Sequence, residues 1–424
     1  MLKRYKGIMV ILDGLGDRGI PAFGGKTPLE TARTPNMDSL ISNGQAGLVD
    51  PLLPGLPLST HTATALLFGV PVREAAVLSR GPVEAAGIGV ASDPNGLYIR
   101  GNFATLEKYG QSFKILDRRA GRINEGTEEL AHHLGELNLG EGVSATLHPA
   151  TQHRVVVKLS GSDLSAQITN TDSGDQYHRY GVLKCQAIDA ADAAAVRTAD
   201  ALNRFTEIVY DRLSEHSINL ARLASGIPPA NGIICRSPGK LLQVRTALEH
   251  LNLRTAVVAG EKTVLGMAAM LCYDGYKDPR FTSLPNTDLQ SKIAQAMLAL
   301  QDHDLVYLHV KGPDICSHDL DPIAKRDLLE AFDDAIAPLL GDEMVIAITG
   351  DHSTDSNTGR HSGDPVPSLL CGPNGRRDQV YEFGESNCSQ GSLGRISSQG
   401  FLTSMLDMMN VLENYNRQDA YLYF

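Results

Sequence analysis

Met344-Val345-Ile346-Ala347-Ile348-Thr349-Gly350-Asp351-His352-Ser353-Thr354-Asp355-Ser356-Asn357-Thr358-Gly359-Arg360-His361-Ser362-Gly363-Asp364 joins an apolar run to a polar segment rich in groups that can bind a metal. Residues 344–348 are apolar and largely β-branched, and Gly350 ends the run, so the segment reads as a short buried strand. The polar residues therefore begin where a central strand stops, which is where open α/β sheets place their chemistry. They offer Asp351, His352 and His361 as candidate metal ligands. A polar loop with two ordinary histidines has the same composition, so the decision falls to other segments.

Two more strand ends carry similar groups. Residues 7–12 are apolar and break at Asp13-Gly14-Leu15-Gly16-Asp17, which puts Asp13 at the strand's C-terminal end as a metal ligand or the cap of a turn. Residues 305–310 form another apolar run, followed by Lys311-Gly312-Pro313-Asp314-Ile315-Cys316-Ser317-His318-Asp319. Asp314 and His318 are four apart, so on a helical turn they share a face and can bind one ion. A Pro/Gly loop at 54–58 runs into a helix expected to begin near Thr60. A hydroxyl there lies beside free backbone N–H groups and the positive end of the helix dipole, which suits a nucleophile that carries a phosphoryl group. Simple N-capping by Ser59 or Thr60 is the alternative use.

Between these segments, Thr34-Pro35 reads as an N-cap followed by the first helical position. Residues 79–84, including Arg80, read as a turn. Asp117-Arg118-Arg119-Ala120-Gly121-Arg122 sets three arginines within five residues, a pattern able to clamp a carboxylate or phosphate, or to form a solvated basic turn. A helix and loop over 124–150, an alternating strand over 153–159 and an Ala-rich helix over 189–213 change the character of the chain. They place a small inserted α/β domain at 111–219, with the core formed by 1–110 and 220–424. Amphipathic helices are expected over 324–340 and 400–415.

Composition narrows the function. The chain has 424 residues, 42% hydrophobic and 21% charged, with a formal net charge of −11. That charge disfavours nucleic acid as a partner but permits a small anionic substrate in a local basic pocket. Six scattered cysteines, at 185, 235, 272, 316, 371 and 388, form no C-x-x-C pair and read as reduced, so a cytoplasmic protein is expected. No secretory signal and no membrane span is read in the sequence. A monomer or small homo-oligomer is expected.

Taken together, three strand ends present Asp13, Asp314 with His318, and Asp351 with His352. His361 lies on the loop beyond, and Thr60 opens a helix. Three histidines and three carboxylates suit two divalent ions, manganese or zinc in first place and magnesium or cobalt next. Two such ions can clamp the attacking and leaving oxygens of a phosphoryl displacement.

At this point the sequence resembles the archaeal-type cofactor-independent phosphoglycerate mutases of the alkaline phosphatase superfamily, nearly end to end. The resemblance is carried by Ile11-Leu12-Asp13-Gly14, Gly25-Lys26-Thr27-Pro28-Leu29-Glu30, Thr34-Pro35-Asn36-Met37-Asp38, Arg80-Gly81-Pro82 and Asn102-Phe103-Ala104-Thr105. It continues in Asp117–Ile123, Pro228-Pro229-Ala230-Asn231, Lys311-Gly312 with Asp314, Ser317-His318-Asp319, Gly350–Thr354 and 361–367. It implies a phosphatase-like mixed sheet flanked by helices, with an inserted substrate domain. It implies one ion on Asp314, His318 and His361, and a second on Asp13, Asp351, His352 and the nucleophile oxygen. It makes Arg119 and Arg122 substrate-handling residues, with Arg80, His153 and Arg154 as further binders. No 2,3-bisphosphoglycerate is required.

The chain departs from the family pattern around its nucleophile. The family's serine falls on Thr60, the acid after it on His61, and a downstream histidine on Thr64. A family lysine falls on Leu265, with Lys262 or Lys240 as substitutes. Interconversion of 3- and 2-phosphoglycerate through a phosphothreonine is therefore the first functional expectation. A related phosphotransferase or phosphatase acting on another small phosphorylated or phosphonate acid is the alternative. An inactive relative kept for binding is a third, disfavoured because buried carboxylates are costly to keep without ions.

Overall fold

In the computed structural model, described over residues 3–241, 246–341, 343–373 and 375–412, the chain divides into two compact units. The first comprises Met1–Val77 and Gln243–Phe424, the second Leu78–Leu242.

The first unit is built on an eight-stranded sheet. Its strands run in the order Asp274–Tyr276, Thr255–Val258, Leu305–Val310, Lys6–Leu12, Met344–Thr349, Val366–Cys371, Gln45–Asp50 and Gly394–Ser397. Among them only Val366–Cys371 runs against the others, which makes the sheet mixed, as the sequence led one to expect. The central strand Lys6–Leu12 reads Lys-Gly-Ile-Met-Val-Ile-Leu and is buried on both faces from Gly7 onward. A continuous apolar run of this kind is what a helix-covered parallel strand requires. Ile293 and Ala296 of helix Leu289–Asp302, Leu329 and Phe332 of helix Pro322–Ala335, and Met37 and Ile41 of helix Pro35–Ser42 pack in the same core.

Register places the functional ends together. Leu12 pairs with Val310, and Ile11 pairs with both His309 and Thr349. The residues that follow these three parallel strands, Asp13, Lys311 and Gly350-Asp351, therefore emerge side by side, and the Asp13 N–H donates to the Val310 carbonyl at 3.0 Å.

The second unit has a six-stranded antiparallel sheet. Its long strand Leu97–Tyr109 pairs with Ser112–Asp117, Arg154–Ser160 and Gly232–Lys240. Helix Ala193–Ser214 buries Leu202, Phe205 and Val209 in its core, and the Asp192 carboxylate caps that helix through the Ala195 N–H. The insertion expected at 111–219 lies inside this unit. The unit also takes in Leu97–Tyr109 and Gly232–Lys240, which pair with each other.

Local expectations fared unevenly. Residues 79–84 are not a turn: Arg80–Gly87 is a helix, with Pro82 in the first turn where its missing N–H costs nothing. Helix Pro35–Ser42 has Pro at its start, but Thr34 makes no side-chain cap. The helix expected over 324–340 is Pro322–Ala335 followed by the short turn Ala337–Leu339. The last helix is Ser398–Met408, and the part of the expectation beyond residue 412 lies outside the described residues. No helix among the described residues is long and apolar enough to cross a membrane.

A candidate metal centre and an arginine cluster

The first unit gathers Asp13, Thr60, Asp314, His318, Asp351, His352 and His361 at the C-terminal ends of its central strands. Asp13 follows Lys6–Leu12, and Gly14 turns the chain away at φ 66°, a conformation that favours glycine. A Cβ on Gly14 would also lie 2.7 Å from Thr354 Oγ1 and 2.9 Å from the Asp314 Cα, so only glycine leaves room for both neighbours. Asp314 and His318 sit on helix Gly312–His318, with His318 Nε2 3.3 Å from Asp314 Oδ2. His361 lies on Arg360–Ser362, which pairs with Ser353–Asp355 as a small hairpin.

Thr60 is the first residue of helix Thr60–Leu67, and Ser59 precedes it without making a side-chain cap. The Ser59 hydroxyl instead faces His61 Nδ1 at 3.0 Å. Thr60 Oγ1 faces His352 Nε2 at 3.2 Å and accepts from Lys311 Nζ at 3.0 Å.

Hydrogen bonds fix how the histidines point. A carbonyl oxygen can only accept, so His318 Nδ1 donates to Gly359 and His361 Nδ1 donates to Leu58, each at 2.7 Å. Both rings thus present Nε2 to Asp314, with His361 Nε2 3.5 Å from Oδ1. Metal-binding histidines are commonly oriented by such a second hydrogen bond. Two trios bring one ligand atom each to within 4.8 Å of one another: Asp314, His318 and His361, and Asp13, Asp314 and His352. Asp314 belongs to both. Asp351 stands just beside the second, its Oδ2 3.4 Å from His352 Nε2.

Three carboxyl groups are buried together here. Asp13, Asp314 and Asp351 are all essentially inaccessible to solvent. Among the described residues only the Lys311 ammonium answers them at close range, 2.9 Å from Asp13 Oδ1 and 2.7 Å from Asp314 Oδ2. Burial opposes ionisation of all three. For Asp13, the Lys311 charge and the His309 hydrogen bond prevail and hold the carboxyl below its usual range. For Asp314, hydrogen bonds from His318 and His361 and the Lys311 charge do the same. Asp351 goes the other way: burial and the neighbouring Asp13 charge push its carboxyl well up. Burial also drives His352 down to about 3, so its ring stays neutral, as a ligand must be.

One Asp351 oxygen accepts from the N–H groups of Gly14 and His352, at 3.2 and 3.0 Å. The other, Oδ2, is buried and has no hydrogen-bond partner. A buried lone oxygen of this kind is costly, and a cation is the partner its surroundings suit. The donor set of carboxyl groups and imidazoles fits borderline divalent ions.

Sequence reading did not single out Lys311, His309 or Thr354. His309 Nε2 donates to Asp13 Oδ2 at 3.0 Å from within the strand Leu305–Val310. The available signal was position: His309 and Lys311 flank the last residue of a strand that neighbours Asp13.

Arg80, Arg119, Arg122, His153 and Arg154 lie in the second unit. Arg119 and Arg122 are exposed on a turn where Ala120, Gly121 and Arg122 have φ of 46°, 66° and 56°. The Asp117 carboxylate holds this strained turn by accepting the N–H groups of Arg119 and Gly121 at 2.7 and 2.9 Å. Arg222 braces it from the other side through the Ala120 carbonyl at 2.7 Å. Arg118, the third arginine of the motif, is taken by Asp172 at 2.7 Å.

His153 is driven down to about 4, first by burial and then by the charges of Arg154, Arg119, Arg100 and Arg122. Buried Arg100 falls to about 9, chiefly through burial, with Glu84 opposing the fall and Arg80, Arg236 and Arg154 adding to it. Glu84 Oε1 lies 3.1 Å from Arg100 Nε and 3.4 Å from Arg80 Nη2. The cluster has an excess of positive charge. Lys262 is exposed at the first position of helix Lys262–Met270 in the first unit, the helix that also carries Leu265.

Comparison with known proteins places the chain among named relatives. Residues 42–219 match the family described as 2,3-bisphosphoglycerate-independent phosphoglycerate mutase. Proteins of that name from Ignicoccus hospitalis and Methanopyrus kandleri are each 38% identical to the chain. The alignments cover 96% of the chain and 98% and 97% of those proteins. A solved protein from Pyrococcus horikoshii superposes with a TM-score of 0.81 at 32% identity, over 98% of this chain and 100% of that one. The cofactor-independent phosphoglycerate mutase from Thermoplasma acidophilum does so with a TM-score of 0.69 at 31% identity, over 96% and 100%.

Proposed function

The chain belongs to the family of 2,3-bisphosphoglycerate-independent phosphoglycerate mutases, and from that premise we propose that it interconverts 3-phosphoglycerate and 2-phosphoglycerate through a phosphoryl group carried on Thr60. The observation that carries the reading is the buried surplus of carboxylate at the strand ends, with the Thr60 hydroxyl directed into it. Asp314, His318 and His361 would hold one divalent ion. Asp13, Asp351 and His352, beside Thr60 and sharing Asp314, would hold a second, manganese or zinc being the best match to the donors. Bound there, the ions offset the carboxylate charge and stabilise the charge of the transferring phosphoryl group.

The chain's own groups account for the rest. Thr60 Oγ1 forms a bond to phosphorus as the bond from phosphorus to the 3-oxygen of glycerate breaks. The hydroxyl proton ends on the departing oxygen. Lys311 Nζ, already donating to Thr60 Oγ1, stabilises that oxygen as its proton leaves. The start of helix Thr60–Leu67 adds free N–H groups for the phosphoryl oxygens. In the return step the 2-hydroxyl of glycerate takes the group back and its proton returns to Thr60, so no water is consumed. Glycerate must stay bound meanwhile, and we assign its carboxylate to Arg119 and Arg122, with Arg80, His153 and Arg154 supporting. Replacing Arg119 would then raise KM or slow transfer. A cytoplasmic setting belongs to the same reading.

His61, Thr64 and Leu265 favour a second reading, in which the same transfer to Thr60 serves another small phosphorylated or phosphonate acid. The two readings share their first step, so that step is the test of both. Metal-loaded protein quenched in acid during turnover with 3-phosphoglycerate is expected to carry a phosphate on Thr60, absent in Thr60→Ala. Phosphate on Ser59, or full turnover by the Thr60→Ala variant, would remove Thr60 from the nucleophile's place.

A further inference from the structure

We infer that Thr354 is a positioning residue that ties the two metal pockets together, fixing the tautomer of His352 and the carboxylate of Asp314 with one hydroxyl. Thr354 is fully buried. Its Oγ1 lies 2.8 Å from Asp314 Oδ1 and 3.2 Å from His352 Nδ1. An ionised carboxylate only accepts, so the threonine proton goes to Asp314. The same oxygen is then free only to accept, so His352 Nδ1 must carry a proton. His352 Nε2 is left as the lone pair that faces Thr60 and Asp13.

The backbone places this hydroxyl without freedom to drift. Thr354 sits on the strand Ser353–Asp355, and its register partner across the hairpin is His361. Its N–H donates to the Gly16 carbonyl at 2.9 Å. Gly14, lacking a Cβ, lets Oγ1 approach. Thr354 thus touches Asp314, shared by both trios, and His352 of the second, and it pairs by backbone with His361 of the first. Loss of the hydroxyl frees the Asp314 carboxylate to rotate and removes the partner that sets the His352 ring. Ions held by the two trios would then weaken together. Outer hydrogen-bond partners of this kind typically change metal affinity by about 10–100-fold.

The inference rests on the metal-centre reading, and the experiment separates the two. Chelated protein is titrated with manganese by calorimetry as wild type, Thr354→Val and Thr354→Ser. Thr354→Val is expected to raise Kd about 10–100-fold at both sites, while Thr354→Ser, which keeps the hydroxyl, stays near wild type. Thr354→Val with wild-type affinity would overturn the inference. Wild-type protein that binds no manganese would instead sink the metal-centre reading. In chelated wild-type protein labelled with 15N-histidine, and assigned with His352→Gln, His352 is expected as the Nδ1–H tautomer. This measurement stands even if Thr354→Val does not fold, and the Nε2–H tautomer would contradict the bridge.

Discussion

At the residue scale the centre is governed by a shortage of positive charge. Lys311 is the close ammonium among three buried carboxylates, and the buried Asp13 and Asp314 charges raise its pKa despite burial working the other way. Removing it leaves Asp13 and Asp314 without their nearest positive partner, a loss of about 3–5 kcal/mol for a buried pair. Lys311→Met is therefore expected to melt lower than wild type when chelated, and to recover more of its stability than wild type when manganese is added. A chelated variant as stable as wild type would show that Lys311 does not answer those carboxylates. The candidate ligands could be picked out along the chain because they fall at strand ends with helical or loop spacing. Lys311, His309 and Thr354 could not, because their roles depend on which strand lies beside which. That Asp314 serves both trios was equally hidden, since spacing along the chain does not show one carboxylate facing two ways.

At the scale of elements, the core strands were readable from their apolar runs and the ends that follow them. The helix Arg80–Gly87 was not, since Arg-Gly-Pro reads locally as a turn, and Gly81, Pro82 and Val83 form a helix only through burial against the second unit's sheet. Helix Leu289–Asp302 carries an unpredicted cost. Lys292 points from it into the core, 1% exposed, and donates to the His309 carbonyl at 3.1 Å. Burial brings its pKa down to about 8. Between that value and the unfolded value of about 10.4, the unfolded chain binds more protons than the folded one. Stability from this group therefore rises with pH through that window, and the full burial cost applies below it. Lys292→Met is expected to be more stable than wild type at pH 7, by up to about 3 kcal/mol, and to lose the rise between pH 8 and 10. Urea unfolding at a series of pH values checks both, and a parallel shift at every pH would contradict the account. A second buried lysine is well partnered. Lys325 donates to Asp17 Oδ2 and the Gly14 carbonyl, each at 2.8 Å, and ties the turn after Asp13 to helix Pro322–Ala335.

At the scale of the whole molecule, two units divide opposite charges. The first holds a buried carboxylate surplus with a hydroxyl aimed into it, the second an arginine cluster with few acidic partners. That division was partly legible, because the chain's change of character near 110 and 220 marked an insertion. The true limits at Leu78 and Leu242 were not, because a strand that crosses an expected boundary carries no local mark of its partner. The central claim is that this molecule moves a phosphoryl group between two oxygens of one glycerate. It is tested most directly by following 3-phosphoglycerate with 31P NMR, using manganese-loaded protein with no 2,3-bisphosphoglycerate present. The account predicts a growing 2-phosphoglycerate signal, approaching equilibrium at constant total phosphoester and lost on chelation. An unchanged 3-phosphoglycerate signal, or inorganic phosphate as the sole product, would contradict it.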